Sequence, residues 1–292
     1  MELGSKVNED NYKSIRVQGG LNRGLNARTS EKIAFALLTL SAMIVAAFVV
    51  IILAYIIYNG YSAINIEFLT EMPRMRMTQG GIYPAIVGTV YLIIGSMAVA
   101  LPTGIMAAIY LNEYAGENRT TWLIEMAINN LAGTPSVVFG LFGLALFVKY
   151  FGFGSSLLSA CLTLSLLIIP VIIRSTQEAL IAVPKEYRES SLALGISKWQ
   201  TIRHVVLPAA VPGIITGSIL SIGRVSGETA PILLTGAAYF LPRLPDSIYS
   251  QFMALPYHLF VLATSGTNIT QTRPLQYGTA LVLLMIVLGL NI

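Results

Sequence analysis

The chain has 292 residues, of which 55% are apolar and only 11% charged, with a net charge of +4 and a mean hydropathy of +0.71. Soluble domains carry about 25% charged residues, so a water-exposed globular surface, a disordered chain, a collagen and a nucleic-acid-binding surface are all excluded. A single cysteine, Cys161, lies inside an apolar run, which excludes a disulfide framework and a thiol metal site.

Residues 1–30 are polar and rich in asparagine (Asn8, Asn11, Asn22, Asn26), and they read as a cytoplasmic N-terminal tail. A signal peptide is not expected, because the apolar region begins too late and runs too long. The remainder, 31–292, reads as one transmembrane domain. Charge-free runs mark its spans, since about 20 residues of helix cross the hydrocarbon core. Residues 33–66, 77–112, 126–148 and 150–173 hold no charged side chain. A fifth span over about 209–238 holds Arg224 and Glu228, and a sixth starts near Leu275 and continues to the last residue. An all-α polytopic membrane protein with six transmembrane helices is expected. The sixth span stops at Asn291 and Ile292 with no Lys or Arg behind it, so a few C-terminal residues are expected to be missing.

The second run is long for one span, and Pro102 with Gly104 offers a place to divide it. Charge decides its reading. With one helix there, the N-terminus, the loop 112–121 and the loop 174–208 share a side and hold 12 Lys/Arg, against five on the other side (Arg74, Arg76, Lys149, Arg243, Arg273). Positive charge stays cytoplasmic, so both termini are expected there. Pro102 is then a kink, tolerated because neighbouring helices satisfy the freed carbonyl. Gly88, Gly95 and Ser96 give the same helix a small-residue face for close packing.

Between spans four and five, residues 176–208 form the most informative loop. Pro184 suits a first helical turn, Gly195 suits a C-terminal stop, and Ser197 with Gln200 forms a capping box. Trp199, Ile202, Val205 and Val206 fall on one helical face. Two short helices joined by a glycine turn are expected, suited to a partner's groove; a basic hairpin on the membrane surface is the alternative. Here the chain resembles the inner-membrane permeases of ABC importers. Their pattern of Glu-Ala-Ala, three residues, Gly, nine residues, Ile-x-Leu-Pro is matched in spacing by Glu189-Ser190-Ser191, Gly195 and Val205-Val206-Leu207-Pro208. The resemblance implies the type I (MetI-like) permease fold, with Glu189, Gly195, Leu207 and Pro208 coupling to a cytoplasmic ATPase. No Walker A pattern occurs in the sequence, so a transport subunit powered by a partner is expected, not an enzyme, and no cofactor is implied.

Arg224 and Glu228 stand four apart, on one face if the span is helical. Counting ~1.5 Å per residue from Ala209 puts Arg224 roughly 22 Å along the helix, where an arginine costs about 2.5–3.5 kcal/mol. Either the pair neutralises itself as an interface lock, or Arg224 meets an anion in transit while Glu228 weakens its grip. The second reading is favoured, because buried pairs stabilise poorly in themselves and a conducting site must release what it binds. Arg174, taken to end the fourth span, reads equally as an anion contact at the cytoplasmic exit or as a snorkelling interface arginine. Thr134, Pro135 and Ser136 are taken to lie within the third helix, where the hydroxyls either line the path or back-bond to the helix; the second is favoured. His204 and His258 fall on opposite sides of this topology and make no metal pair. An interfacial helix is expected over 248–255, and Arg74, Arg76, Arg243 and Arg273 are possible docking charges.

The stretch Arg224-x-x-Gly227-Glu228-Thr229-Ala230-Pro231 sharpens the resemblance to the permeases of phosphate-specific importers, and its Thr-Ala-Pro ending is similar to the PstA family. Leu131-Ala-Gly-Thr-Pro-Ser136 and Pro170-Val-Ile-Ile-Arg174 agree with it. The resemblance implies a subunit of an inner-membrane importer of inorganic phosphate. Its implied partners are a PstC-like permease, a PstB-like ATPase dimer, an external PstS-like phosphate-binding protein and membrane lipid, with no nucleic acid. A permease for phosphonate, sulfate or molybdate is the alternative within the class, and a scaffold signalling phosphate status is one outside it.

Overall fold

The computed structural model of the chain describes residues 27–116, 118–265 and 269–291. Most of the expected tail, 1–26, lies outside the described residues; Ala27 already begins a 34-residue apolar helix, α1, Ala27–Gly60. Met1–Tyr55 and Ile56–Ile292 form separate compact units, and the architecture below is that of the second.

A short helix, α2 (Ile66–Thr70), is capped by Asn65, whose side chain accepts from the Phe68 amide at 2.7 Å. It leads into a small hairpin of β1 (Pro73–Arg74) and β2 (Gln79–Gly80), with Pro73 opposite Gly80. Next comes α3, Tyr83–Ile109, prolonged by a π turn over Tyr110–Tyr114. Pro84 sits in its first turn, where a missing amide hydrogen costs nothing. Pro102 lies inside α3 and the helix runs past it, so the long second run is one span.

The third span is not one straight helix. It consists of α4 (Arg119–Ala132) and α5 (Ser136–Gly143, with a π continuation over Leu144–Tyr150), bent by 102°. Thr134 and Pro135 therefore lie in the break rather than within a helix, and Ser136 opens the next one. The physical reason is local: Pro135 lacks the amide that would continue α4, and its own backbone is extended (φ −57, ψ 138).

The fourth span, α6 (Leu157–Ile181), is capped by Ser156. It runs seven residues past Arg174, so that arginine is a helix-interior residue and the following loop begins at Ala182, not at 174 or 176. After α7 (Lys185–Ala193), a second arm starts at α8 (Lys198–Thr201), passes through a π turn (Ile202–Val206) and becomes α9 (Leu207–Gly227). Lys198–Gly227 is thus a continuous 30-residue helix, not a short one. It ends earlier than expected; Glu228 and Thr229 are outside it, and α10 (Ala230–Thr235) follows. Among the described residues, five helices are long and apolar enough to cross a membrane, six with the bent pair counted as one.

The segment after α10 doubles back. Ala238 donates to the Phe252 carbonyl at 2.8 Å, while Leu157 and Leu158 at the start of α6 donate to Ser250 and Ile248. These carbonyls are committed outward, so 248–254 does not coil into the expected helix. The helix begins instead at α11 (Leu255–Ser265), pinned to α3 because the Leu255 amide donates to Thr89 Oγ1 at 2.9 Å. Last comes α12, Ile269–Asn291.

At the centre stands α6, with Leu164, Leu167 and Ile168 all but inaccessible. Lipid tails are as apolar as leucine, so close packing rather than water exclusion must hold such helices together. The small face expected on α3 provides it: Gly95 lies against Cys161, and Ser165 Oγ donates to the Ser96 carbonyl at 3.0 Å. Opposite, Gly213 and Gly217 of α9 lie against Ala179 and Ser175 of α6.

Candidate functional site

Two spans are interrupted, and their second halves touch. α5 follows the break at Gly133–Pro135; α10 follows the break at Glu228–Thr229. A Cβ on Gly140 of α5 would stand 2.9 Å from Pro231 Cα and 3.2 Å from the Ala230 carbonyl of α10. Only a glycine admits that approach. Non-helical backbone inside a spanning segment survives only when buried in protein or lining a wet cavity, so the break at Glu228–Thr229 marks a polar locus in an apolar span.

Arg224 and Glu228 belong to this locus. Arg224 occupies the last turn of α9, where a cation complements the helix dipole. Glu228 is extended (φ −73, ψ 129), so the two do not share a helix face as their spacing suggests. They still face each other, with Arg224 Nε 3.6 Å from Glu228 Oε1. That is long for a hydrogen bond, and the Arg224 side chain keeps 33% of its surface accessible. A loosely paired, partly open guanidinium is able to receive a second anion. Thr134 Oγ1 donates to the Asn130 carbonyl at 2.9 Å, the back-bond expected of a helical threonine.

Arg174 is bound more firmly. Its Nε donates to Asn129 Oδ1 at 2.8 Å, Nη1 to Gln177 Oε1 at 2.9 Å and Nη2 to the Glu125 carbonyl at 3.1 Å. These bonds tie α4, the helix that precedes the break, to α6. Arg174 also lines a groove of about 900 Å³, with Asn112, Arg119, Glu125 and Gln177 in its wall.

At one end of the helices, α7 and the start of α8 form an elbow. Gly195 makes its turn with φ +81, a left-handed conformation that costs other residues about 1–2 kcal/mol. Ser197 and Gln200 form the expected reciprocal cap. Ile202 and Val206, expected on a face suited to a partner's groove, are instead buried within this chain, whereas Trp199 (54%), Leu194 (79%) and Tyr187 (52%) are exposed. The helical face divides because the elbow rests on a small separate core of Ile109, Leu180, Val183, Ile202 and Val206, which Trp199 overshoots. Glu189 is exposed on α7, and Leu207 and Pro208 open α9. Sequence reasoning missed the contact that fastens this elbow: Arg188 Nη2 lies 2.8 Å from Glu113 Oε1, a pair 75 residues apart that no local pattern announces. Among the described residues no group of three His, Cys, Asp or Glu is placed to hold a metal ion.

Apolar spans, one sharply bent and another broken beside a charged pair, and an elbow with an exposed aromatic and aliphatic surface define a polytopic α-helical membrane protein. The family described as binding-protein-dependent transport system inner membrane component matches residues 100–292. The probable ABC transporter permease protein YqgI of Bacillus subtilis is 35% identical over 92% of this chain and 95% of its own length. The phosphate transport system permease protein PstA of Haemophilus influenzae is 31% identical over 91% and 92%, and PstA 1 of Mycobacterium tuberculosis strain H37Rv is 38% identical over 73% and 68%. Among solved structures, a bacterial ABC transporter that imports alginate aligns over 90% of this chain and 97% of its own with a TM-score of 0.63 at 16% identity. The inward-facing MetNI methionine transporter aligns over 72% and 89% with a TM-score of 0.53 at 17% identity. The chain belongs to the family of inner-membrane permease components of binding-protein-dependent ABC importers, among the relatives of PstA. The type I, MetI-like fold expected of it is the fold it has.

Proposed function

We propose that this chain is the membrane-spanning subunit of an ATP-driven importer of inorganic phosphate, a transport subunit and not an enzyme. Likeness to PstA permeases over most of the chain is the observation that carries the substrate. The site supports it: Arg224 presents a partly open guanidinium, the planar donor that suits an oxyanion, and Glu228 offsets its charge so that the ion is released. Thr134 and Ser136 flank the neighbouring break and line the same path in this reading, while Arg174 adds positive charge to the groove wall and holds α4 in place. In this reading both termini and the elbow face the cytoplasm, the side that the distribution of Lys and Arg favours. There Glu189, Gly195, Leu207 and Pro208 belong to the element that docks on an ATPase dimer of the PstB kind. A PstC-like permease supplies the other half of the path, and a PstS-like binding protein delivers phosphate from outside.

Radiolabelled phosphate uptake by proteoliposomes holding the assembled complex, with ATP on the ATPase side, tests this. Uptake should require ATP and collapse in Arg224→Gln while the complex still assembles. A variant that assembles and transports normally would make the pair structural. Uptake of sulfate or molybdate in place of phosphate would leave the fold standing and overturn the substrate.

A further inference from the structure

We propose that Glu113 and Arg188 form a clasp that makes the elbow and the cytoplasmic end of α3 move as one body, so that ATPase closure is converted into movement of the membrane helices. The inference rests on the transporter reading above and concerns residues outside the docking pattern itself.

The clasp is more than one ion pair. Arg188 reaches Glu113 Oε1 with both Nε (3.2 Å) and Nη2 (2.8 Å), and the same guanidinium donates to the carbonyls of Leu180 (2.8 Å) and Val183 (2.9 Å). One side chain therefore binds the end of α6, the first residues after it and the π turn that ends α3. Asn112 Nδ2 also donates to Glu113 Oε1, at 2.9 Å. The Glu113 side chain is only 8% accessible and that of Arg188 20%, so water competes poorly for either partner.

The second arm grips the next residue of the same turn. Lys198, at the start of α8, places its Nζ 5.1 Å from the centroid of the Tyr114 ring, within cation–π range. The arms are joined to each other by the buried Ser191–Thr201 hydroxyl contact at 2.9 Å. Both arms of the elbow thus hold consecutive residues of one five-residue π turn, and such turns occur frequently at functional sites. Without the clasp, a push on the elbow would be absorbed at its two soft points, the Ala182–Pro184 link and the left-handed Gly195. With it, α7 cannot pivot at either point without carrying α3 along. Glu113 and Arg188 are positioning residues in this scheme, since neither touches phosphate or nucleotide.

The test reads phosphate uptake and ATP hydrolysis in the same proteoliposomes, using the assembled complex with its binding protein. Glu113→Gln keeps the shape and one acceptor but removes the charge. Its uptake per ATP should fall about fivefold or more, the lower end of typical coupling between sites, while hydrolysis and assembly persist. Arg188→Lys keeps the charge but loses the fork, and should lie between Glu113→Gln and wild type. Tyr114→Leu, which loosens only the second grip, should lower the ratio less than Glu113→Gln. An unchanged ratio in Glu113→Gln overturns the clasp, as does a parallel fall of uptake and hydrolysis, which is what mere loss of structure produces. A wild-type chain that captures no ATPase overturns the transporter reading itself, and the clasp with it. Should the wild type carry a different oxyanion, only the substrate changes, and the same ratio is read with that ion.

Discussion

Gly140→Ala is the sharpest probe of the paired breaks. The new Cβ would stand 2.9 Å from Pro231 Cα, 3.1 Å from Leu234 Cδ1 and 3.2 Å from the Ala230 carbonyl. Non-bonded carbons pack best at about 3.5–4.0 Å, so α10 must retreat by about 0.6 Å or more. Leu234 can swing its tip aside, but Pro231 Cα and the Ala230 carbonyl are backbone and can move only with the helix. Overpacking of this kind costs about 1–3 kcal/mol. Alanine recovers about 0.5–1 kcal/mol over glycine inside a helix, so the steric term wins and a net loss of about 1–2 kcal/mol is expected. Melting of the purified chain in detergent measures it, and uptake in vesicles should fall because the break at Glu228 moves with α10. Gly289→Ala is the control: nothing lies within 4 Å of its Cβ position on α12, so only the helix gain remains and stability should rise slightly. If Gly140→Ala melts like wild type and transports normally, the contact between α5 and α10 does not position the site.

Gly195→Ala meets no atom within 4 Å but keeps φ +81, so it isolates backbone strain of about 1–2 kcal/mol; hydrogen exchange over 185–201 should quicken while the α6 core stays protected. Ser197→Ala removes the cap of α8 and should cost about 1 kcal/mol, read by the same exchange experiment. Leu167→Ala empties a fully buried place on α6 and should cost about 2–5 kcal/mol, visible as a lower melting temperature. Burial lowers the imidazole of His258 on α11 from its ordinary 6.5 to about 4. The folded chain therefore binds fewer protons there than the unfolded chain between these values. Stability is full above pH 6.5 and falls by about 1.4 kcal/mol per unit as the pH drops toward 4; His258→Leu should flatten that slope in pH-dependent melts.

The spans were legible because charge is the dominant cost in lipid, so charge-free runs mark the helices whatever packs around them. The cap at Ser197 and the turn at Gly195 were legible because both are local backbone chemistry. The two breaks were hidden by the same logic. A Gly-Thr-Pro inside an apolar run fits a kink as well as a 102° bend, and the packing of α5 on α10 decides between them. At Glu228 the i,i+4 spacing from Arg224 argued for a helix, whereas Pro231 in the first turn of α10 was the available sign that one helix had ended and another begun. Glu113–Arg188 had no such sign, since its partners meet only once α3 and α6 have packed side by side.

The long arm from Lys198 to Gly227 also has a mechanical meaning. At ~1.5 Å per residue its 30 residues make a rod of about 45 Å. Gly213 and Gly217 bear on α6 between the ends of the rod, about 25 Å from the elbow and about 20 Å from the unwound Glu228. The elbow end is held as well, since Ile202 and Val206 pack on Leu180 of α6, so the rod and α6 tilt together. Tipping the pair by about 10° about the glycine contact carries the elbow about 4 Å one way and Arg224, about 14 Å from that contact, about 2 Å the other. A push on the elbow would thereby reach the Arg224 end with its sense reversed, carried by two stiff helices tilting as one rather than by a series of small repackings.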